Sequence, residues 1–577
     1  MTPKEIFLEL LKPDGQPERQ LKQYEALHMV LTDPINGYLR GSRVRGSVSK
    51  DRWGTTINFP ADAPGPMPVT TEELKVCKDI EHWRDYVHAP DIEANCQDGW
   101  EACIEGAKEK AGGEKLITGF MATGIFEQLH FLMGFEDTLT ALYEYPDELH
   151  ELIDFITEYR MNYVRLLIDR LHPEVIFTHD DWGTKDALFM KPDMWREFFK
   201  EPYRRFYGYI RDRGIITVHH ADSYLVPIVE DMAEIGIQVW QGALPENDIP
   251  SLQEKLQGRM VLMGGIGAAI DRPDASEEEI RTYVRQVLAE NCPGGHYIPC
   301  ITYGLAGTVC PHVDPIINEE IDLYNAVLHM PKFFTASVPH RNRSARTAGK
   351  TGNTGAEQQN TELLSAISDA LVKGRRKQVL SLTEQALGAG IKAQTILADG
   401  LMPGMAKLGE DFTAGRAFVP EMLVAARCMN AALEILRPLF AEENSASIGK
   451  ACLGTVRGDM HDIGKNLVKI MMEGAGIEVV DLGVDVNAET FVQTAIDEHC
   501  DIIACSALLT TTMNEMRRVV QIAEERGIRD QVTIMIGGAP ITQEFCDEIG
   551  ADIYTDDAAQ AARAARSVLE RKAERQA

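Results

Sequence analysis

Residues 450–464 read KACLGTVRGDMHDIG, a short apolar run followed by a polar loop and a glycine. The apolar run predicts a buried strand, and the loop after it carries Asp459, His461 and Gly464. A histidine in such a loop can ligate a metal through one ring nitrogen, while Asp459 accepts the proton on the other. Gly464 leaves room for a bulky ligand at the start of the next helix. The stretch therefore predicts a ligand site directly after a strand.

Four further apolar runs, each followed by a helical pattern, come after this loop, at 478–483, 501–508, 532–538 and 552–557. Five strands alternating with helices predict an α/β domain over 447–577, a doubly wound, Rossmann-like (flavodoxin-like) sheet that binds ligands beyond the carboxyl ends of its strands. The third run leads into SALLTTT at 506–512, with the hydroxyls of Ser506, Thr510 and Thr512 around Leu508, and the fourth run ends in Gly537 and Gly538. These features predict a deep slot at the strand ends.

The segment before this domain changes character twice. Residues 361–446 show only helical spacing, punctuated by glycines, and predict a four-helix bundle. Residues 337–360 carry almost no large apolar side chain and are rich in Gly, Thr and Asn, which is typical of a flexible linker. The chain therefore divides into unequal halves at this linker.

Residues 1–336 alternate strand-like runs with longer helical segments. This alternation predicts a parallel (β/α)8 TIM barrel, although only six of its eight strands have a candidate run. Loops after the strand ends build the active site of such barrels. Polar residues at the ends of the candidate strands are therefore expected around one mouth: His179, Asp181, His219, His220, Asp222 and Cys300.

Composition narrows the function further. The 577 residues contain 58 Lys and Arg against 88 Asp and Glu, a formal charge of −30, which disfavours binding to nucleic acid or to an anionic membrane surface. No run is apolar and long enough for a membrane helix, and the N-terminus does not resemble a signal peptide. The 11 cysteines contain no CxxC pair and predict free thiols in a reducing cytoplasm.

The bundle and the doubly wound domain together resemble the cobalamin-binding module of methionine synthase and of corrinoid proteins from methanogens and acetogens. The resemblance rests on the Asp-x-His-x-x-Gly loop, the Ser-x-Leu run and the Gly-Gly pair. It implies a cobalamin cofactor with His461 as lower cobalt ligand and a hydrogen-bond relay of Asp459 and Thr512 behind it. Methionine synthase has a serine at the relay position of Thr512, so the hydroxyl is kept.

The same resemblance assigns further residues to the cofactor. Ser506, Leu508, Thr510, Gly537 and Gly538 are implied to line the channel for its nucleotide tail. In the bundle, GEDFTAGRAFVPEMLVAA at 409–426 matches the family's cap over the upper face of cobalt. It implies Phe412 and Val419 as the covering side chains, with Glu421 facing the corrin. Taken alone, Phe412 and Val419 would more often be core residues of a bundle than a cap.

The first half resembles the uroporphyrinogen decarboxylase superfamily, whose members are decarboxylases and corrinoid-linked methyltransferases on (β/α)8 barrels. The resemblance rests on DRWGTTINF at 51–59, GFMATGIFEQLHFLMGFED at 119–137, HHAD at 219–222 and GGIGAAIDR at 264–272. Fusion to a corrinoid module favours the methyltransferase branch, in a layout like that of chloromethane-type corrinoid methyltransferases.

Branch members that activate a thiol carry a His-x-Cys and a later cysteine as zinc ligands. Here the motif is replaced by HHAD at 219–222, so its cysteine is missing, and Cys300 is the candidate for the later one. His219, Asp222 and Cys300 are ligand types that Zn²⁺ accepts. The alternative is that the histidines and Asp222 make ordinary hydrogen bonds and Cys300 is a buried apolar residue. Asp181 is a candidate proton donor to a leaving alkoxide or phenoxide, and Glu127 and His130, at helical spacing in IFEQLHF, are weaker candidates.

The resemblance implies a methyltransferase that moves a methyl group from a small donor to Co(I) of its own corrinoid domain, with an O-methyl ether or methyl halide favoured. A reductive activase, and a second methyltransferase or tetrahydrofolate as acceptor, are the implied partners; a homo-oligomer stays open. One alternative is the reverse direction, from methyl-corrinoid to a thiol or tetrahydrofolate. Another is a non-enzymatic corrinoid carrier or sensor, which the polar residues at the barrel mouth disfavour.

Overall fold

The computed structural model describes residues 1–41, 43–61, 65–302, 308, 310–328, 356–442, 448–459, 463–507, 512–538, 541–555 and 558–576. The chain forms two compact units, Met1–Ser344 and Ala345–Ala577. The division falls inside the segment 337–360 that the sequence predicts as a linker. Within the described ranges, no helix has the length and apolar character needed to cross a membrane.

The first unit contains ten strands and thirteen α-helices among its described residues. The strands are β1 (Leu27–Val30), β2 (Ser47–Lys50), β3 (Thr56–Phe59), β4 (Met67–Val69), β5 (Leu116–Met121), β6 (Val175–His179), β7 (Ile216–His220), β8 (Val239–Ala243), β9 (Val261–Ile266) and β10 (Tyr297–Ile301). The helices are α1 (Pro3–Leu10), α2 (Pro34–Arg40), α3 (Ile92–Asn95), α4 (Trp100–Ala111), α5 (Ile125–Met133), α6 (Phe135–Glu144), α7 (Pro146–Leu171), α8 (Pro192–Trp195), α9 (Glu201–Arg211), α10 (Val229–Ile235), α11 (Ile249–Leu256), α12 (Glu277–Asn291) and α13 (Val313–Leu328).

Seven parallel strands, in the order β1, β5, β6, β7, β8, β9, β10, form the sheet of this unit. Leu27 of β1 and Ile298 of β10, at the two ends of the sheet, belong to the same buried core as Phe177 and Val218 in its middle. The sheet therefore curves around one interior, and α1 adds apolar side chains to that interior. The predicted barrel class is confirmed, and the described residues supply seven of its strands. A separate antiparallel sheet of β2, β3 and β4 was not expected.

Strand register decides which polar residues face the barrel interior. His179 on β6 pairs with His220 on β7, and His220 pairs with Gln241 on β8. Phe177 and Val218, two residues earlier on β6 and β7, lie in the interior core. Because side chains alternate along a strand, His179 and His220 face the interior as well, while His219 faces the surrounding helices.

The second unit begins with helices packed against one another, as the bundle prediction requires. They are α14 (Ala356–Val372), α15 (Arg376–Gly388), α16 (Ala393–Thr395), α17 (Met402–Thr413) and α18 (Val419–Glu442), with a π-helical turn over Ile396–Leu401 joining α16 to α17. Counting α16, this turn and α17 as one, these make four helical segments. The first contacts the other three, and its start precedes the expected boundary at residue 361.

A five-stranded parallel sheet follows, with helices between its strands. Its strands are β11 (Lys450–Val456), β12 (Glu478–Val486), β13 (Ile502–Ser506), β14 (Thr533–Gly537) and β15 (Ile553–Thr555). Its helices are α19 (Ile463–Gly474), α20 (Ala488–Asp497), α21 (Met513–Glu525), α22 (Gln543–Ile549) and α23 (Ala558–Gln576). The order β12, β11, β13, β14, β15 is the flavodoxin-like order, with the reversal of strand order beside β11. All five predicted strands are therefore confirmed.

Candidate functional site

The carboxyl ends of β11, β13 and β14 bring the described cofactor candidates of the doubly wound domain to one sheet edge. Asp459, three residues beyond β11, is fully buried, and its backbone hydrogen-bonds to Val456 and Asp485. The Thr512 hydroxyl, at the start of α21, donates to the Asp459 carboxylate at 3.4 Å. These two side chains, which lie 53 positions apart in sequence, are thus in contact where the resemblance implies a relay.

Ser506 and Gly537 end neighbouring strands and lie opposite each other in the register of β13 and β14. Gly538 follows at a φ of +132°, and a Cβ there would lie 1.8 Å from the carbonyl oxygen of Ala507. Only glycine fits this close approach of two backbones. The strand ends are consequently lined by small residues, as a slot for an extended ligand requires.

Three implied cofactor residues lie outside the described residues: His461, Leu508 and Thr510. Gly464, in the first turn of α19, is described and exposed, and a Cβ added there would meet no atom within 4 Å. Gly464 therefore has open space beside it at the start of α19.

The bundle residues implied as the cap have different environments. Phe412, near the end of α17, is 45% exposed, which is unusual for a phenylalanine. Val419 begins α18 and is half-buried. Glu421 is buried, and one of its oxygens accepts the backbone N–H of Phe418 at 3.0 Å, so it caps the start of α18. An exposed phenyl ring suits a covering role, whereas Glu421 has a structural role that the sequence did not predict.

These features fit a corrinoid. The strand ends carry the small residues that let a bulky ligand approach the backbone, and Asp459 and Thr512 form a buried hydrogen-bonded pair beside them. The exposed ring of Phe412 supplies an apolar surface. The residues present therefore match the group that the sequence implies.

The mouth of the barrel contains a second cluster of polar side chains. His179 ends β6, and its Nδ1 lies 2.8 Å from the Glu127 carboxylate, in the first turn of α5. Burial alone would lower the pKa of His179, but the Glu127 charge outweighs burial and raises it to about 10. For Glu127 the two effects have the opposite signs: burial alone would raise its pKa, but the charge of His179 outweighs burial and lowers it. The two form an ion pair while His179 is protonated.

His220 lies against His179, with the two rings stacked at a centroid distance of 4.6 Å. Its Nδ1 is hydrogen-bonded to the side-chain oxygen of Gln241 on the next strand. Burial and then the nearby charge of His179 lower the pKa of His220 to about 4, so this imidazole is neutral at pH 7. The Nδ1 proton therefore points to Gln241, and the Nε2 lone pair is left for another partner.

Asp181 and Asp222 complete the mouth. One Asp181 oxygen accepts the backbone N–H of Asp222 at 3.0 Å, and the other lies 4.0 Å from Nε2 of His179. Burial and then the charge of Asp181 raise the pKa of Asp222 to about 6. Atoms of His179, Asp181 and His220 lie within 4.8 Å of one another and could hold a metal ion.

Asp180, between His179 and Asp181, faces the opposite way. Its carboxylate accepts the backbone N–H groups of Phe126 and Glu127 at 3.0 and 2.8 Å, the indole N–H of Trp182 and the hydroxyl of Tyr203. It therefore anchors the start of α5, the helix that carries Glu127. As strand alternation predicts, only one of the two adjacent aspartates enters the mouth.

The expected grouping of His219, Asp222 and Cys300 is not formed. His219 is fully buried on the outer side of the sheet, stacked on Trp182 with a centroid distance of 4.3 Å, and its Nδ1 lies 2.7 Å from the Tyr207 hydroxyl. Cys300 lies in the barrel core, where burial raises its pKa, and its side chain is hydrogen-bonded to Gln241. The reason is register: HHAD places its second histidine, and not its first, in the interior.

Sequence reasoning gave Glu127 little weight and missed Gln241. Glu127 comes from a helix after β5, and Gln241 is one polar residue inside an apolar strand. The sequence did contain a usable signal for Gln241. This residue lies in the apolar run IQVWQGA, and a buried glutamine on a barrel strand needs a polar partner.

Comparison with known proteins agrees with this description. Residues 47–312 match the uroporphyrinogen decarboxylase (URO-D) family, and residues 363–437 and 449–565 each match a B12 binding domain. Trimethylamine corrinoid protein 1 of Methanosarcina acetivorans is 40% identical over 210 residues, which is 36% of this chain and 97% of that protein. The dimethylamine corrinoid protein of Methanosarcina barkeri is 40% identical over 209 residues, 36% of this chain and 98% of that protein.

Among solved structures, the monomethylamine corrinoid protein of Methanosarcina barkeri is 36% identical in sequence to this chain, with a TM-score of 0.28. The match covers 36% of this chain and 99% of that protein's chain. The sequence matches define a cobalamin-binding protein. More particularly, the chain belongs to the corrinoid-dependent methyltransferases, as a fusion of a URO-D-like barrel with a corrinoid module. It is an enzyme of methyl transfer.

Proposed function

We propose that the barrel binds a small O-methyl ether or methyl halide and presents its methyl group to the corrinoid of the same chain, for onward transfer to tetrahydrofolate or a thiol. The observation that carries this proposal is the composition of the barrel mouth. His179, Asp181, His220 and Asp222 converge there without a cysteine thiol among them. Nitrogen and oxygen groups suit a donor whose leaving atom is oxygen or a halide better than they suit the binding of a soft thiol.

When bound, the corrinoid supplies a cobalt centre that accepts the methyl group. The chain's own residues have three tasks: to bind the donor, to orient its methyl group and to stabilise charge on the leaving atom. Asp181 is fixed by the Asp222 backbone and by Ser223, so its carboxyl group has a defined direction in the mouth. Glu127 and Gln241 fix the rings of His179 and His220. This is a preorganised polar site.

The interior below the histidines is apolar, and this also suits a small donor. The ring of Phe177 lies parallel to His220, at a centroid distance of 6.4 Å, and Phe120 lies 5.8 Å from Phe177. Apolar surface of this kind can receive the methyl-bearing end of a donor, while the polar rim holds its heteroatom. In the corrinoid module, Phe412 and Val419 would exclude water from the upper face of the cofactor.

The test uses the full chain loaded with cobalamin and reduced anaerobically with Ti(III), to which donors are added one at a time. The panel contains a methoxylated arene, chloromethane, methanol, trimethylamine and dimethyl sulfide. We expect the absorption band of the reduced corrinoid to be lost with the ether or the halide. Reaction with the amine or thioether alone would refute the donor class. Methyl transfer only from the methylated cofactor to a thiol or tetrahydrofolate would establish the reverse direction.

A matched pair of variants links this reaction to the barrel mouth. Asp181→Asn should slow methyl transfer by about 10-fold or more, since it removes a charge in the mouth. Asp169→Asn removes a carboxylate that is 56% exposed on α7, and it should leave the rate unchanged. Equal rates in both variants would remove Asp181 from the proposal. The partners that we propose for this reaction are a reductive activase and, as acceptor, a second methyltransferase or tetrahydrofolate.

A further inference from the structure

Strand β12 contacts both ends of the segment 458–465, which contains the implied lower cobalt ligand, His461. At the first end, the Asp485 carboxylate accepts the backbone N–H of Gly458 at 2.7 Å. The backbone N–H of Asp485 donates to the carbonyl oxygen of Asp459 at 3.1 Å. One residue of β12 therefore fixes the backbone on both sides of the peptide bond that joins Gly458 to Asp459.

Asp485 holds this position at a cost in backbone conformation. Its φ is +55°, in the left-handed region, where residues with a Cβ are strained and Asn and Asp are strained least. Gly483, two residues earlier on the same strand, has a φ of +80°, which a glycine adopts freely. A glycine at 485 would remove the strain, but it could not bind Gly458 through a side chain. The carboxylate is therefore the property that explains an aspartate at this position.

The second end of the segment is tied to β12 by a buried ion pair. Lys465, in the first turn of α19, has a side chain that is only 3% exposed, and its Nζ donates to the Asp481 carboxylate at 2.7 Å. The same carboxylate accepts the backbone N–H of Gly483 at 3.0 Å, and Nζ of Lys469 lies 3.1 Å from its other oxygen. Burial alone would raise the pKa of Asp481, but these hydrogen bonds outweigh burial and lower it. Because a buried ammonium group is costly without a paired charge, the pair fixes the start of α19 against β12.

We propose that Asp485 and Asp481 are positioning residues for the lower ligand of the corrinoid, because they hold the two ends of the segment 458–465. Each of these bonds joins groups of the protein, so the ends of the segment are fixed independently of the cofactor. A ligand on a segment with fixed ends loses less conformational freedom when it binds. The two aspartates therefore favour the state in which a histidine ligates cobalt. This inference rests on the axial role of His461 and not on the methyl donor, so its test and the test of the proposed donor class can fail separately.

The first experiment measures histidine ligation in the full chain, loaded with cobalamin and reduced to Co(II). A nitrogen ligand below Co(II) splits its electron paramagnetic resonance lines, and ¹⁵N-labelled histidine changes that splitting, so the ratio of histidine-ligated to unligated cobalt can be measured. In Asp485→Gly, which loses the carboxylate but can keep the backbone conformation, we expect this ratio to fall by about 10-fold, the effect of one hydrogen bond to a charged group. The Kd for cobalamin should rise in the same variant. Asp485→Asn keeps an acceptor oxygen and should restore most of the ligation, and Asp530→Asn, at an exposed position before β14, should leave both values unchanged.

A purely structural role for Asp485 makes a different prediction. It would lower the melting temperature of Asp485→Gly and leave the ratio of ligated to unligated cobalt unchanged in the folded, loaded protein. An unchanged ratio in that protein would overturn the positioning role, whatever its melting temperature.

The ion pair at the second end is tested by a double-mutant cycle. Lys465→Met and Asp481→Asn should each lower the same ratio, and the double variant should be no worse than the more affected single variant, because both act through one pair. Lys469→Met removes a partner of the same carboxylate that is 33% exposed, and it should have a smaller effect. Additive losses, or unchanged ligation in both single variants, would overturn the role of Asp481.

Hydrogen exchange in the cobalamin-free full chain requires no variant. The Gly458 amide should exchange at least about 10-fold more slowly than in an unstructured peptide, because its proton is bonded to Asp485. Exchange at the unstructured rate would mean that the first end is not fixed before the cofactor binds, and it would overturn the proposal.

Discussion

Replacing Asp180 should lower the stability of the barrel, whereas replacing its neighbour Asp181 should change that stability little. The buried Asp180 carboxylate accepts two backbone N–H groups at the start of α5, the indole of Trp182 and the hydroxyl of Tyr203. Asp180→Ala removes the acceptor of all four donors at once. A buried donor without a partner costs about 1–3 kcal/mol, and water entering the cavity would satisfy some of the four.

We therefore expect Asp180→Ala to lower the free energy of unfolding of the first unit by about 3–5 kcal/mol. Asp180→Asn keeps the shape and one oxygen and should cost less, about 1–2 kcal/mol. Asp181→Asn should cost under about 1 kcal/mol, because that side chain is 29% exposed at the mouth.

Urea unfolding followed by tryptophan fluorescence measures this directly. All six tryptophans lie in the first unit, so the signal reports on the barrel and not on the corrinoid module: Trp53, Trp83, Trp100, Trp182, Trp195 and Trp240. An unchanged urea midpoint in Asp180→Ala would refute the anchoring role. If Asp181→Asn lost as much stability as Asp180→Ala, the assignment of the structural role to Asp180 alone would be refuted.

Further predictions concern the corrinoid module. Gly538→Ala should lower the melting temperature of the module and abolish cobalamin retention, because its Cβ would lie 1.8 Å from a backbone oxygen. The added Cβ of Gly464→Ala would meet no atom within 4 Å, so this variant should keep the wild-type melting temperature, and any loss of its cobalamin affinity would show that residue 464 lies close to the bound cofactor. Thr512→Val should change the cofactor's absorption spectrum by removing the hydrogen bond to Asp459, and Thr512→Ser should restore it. His461→Ala should convert a histidine-ligated spectrum to a water-ligated one, and an unchanged spectrum would contradict the axial-ligand assignment.

The doubly wound sheet could be predicted strand by strand because each of its strands is an apolar run bounded by polar turns. Three small strands of the first unit could not, since β2 and β4 carry the exposed Val48 and Met67 and make only a short antiparallel sheet. Strand β1 has only four residues, LHMV, and its run is too short to stand out. Short strands of this kind depend on neighbours that the local sequence does not reveal.

The candidate site at the barrel mouth was predictable in part. The sequence placed His179, Asp181 and His220 near one another because all of them follow or end barrel strands. It could not tell which of His219 and His220 faces inward, since that depends on the register between β6 and β7. Glu127 contacts His179 across 52 positions, and no local pattern reports such a pair.

The pairs Asp180 with Asp181 and His219 with His220 have a consequence for comparing this chain with its relatives. In each pair, one residue belongs to the scaffold and the next to the chemistry, and the two have identical side chains. An alignment shifted by one position would still match aspartate to aspartate and histidine to histidine, yet it would transfer a functional assignment to the wrong side of the sheet. Functional residues of this barrel should therefore be aligned with those of relatives by whether their side chains face the barrel interior or the outer helices, and not by residue identity alone.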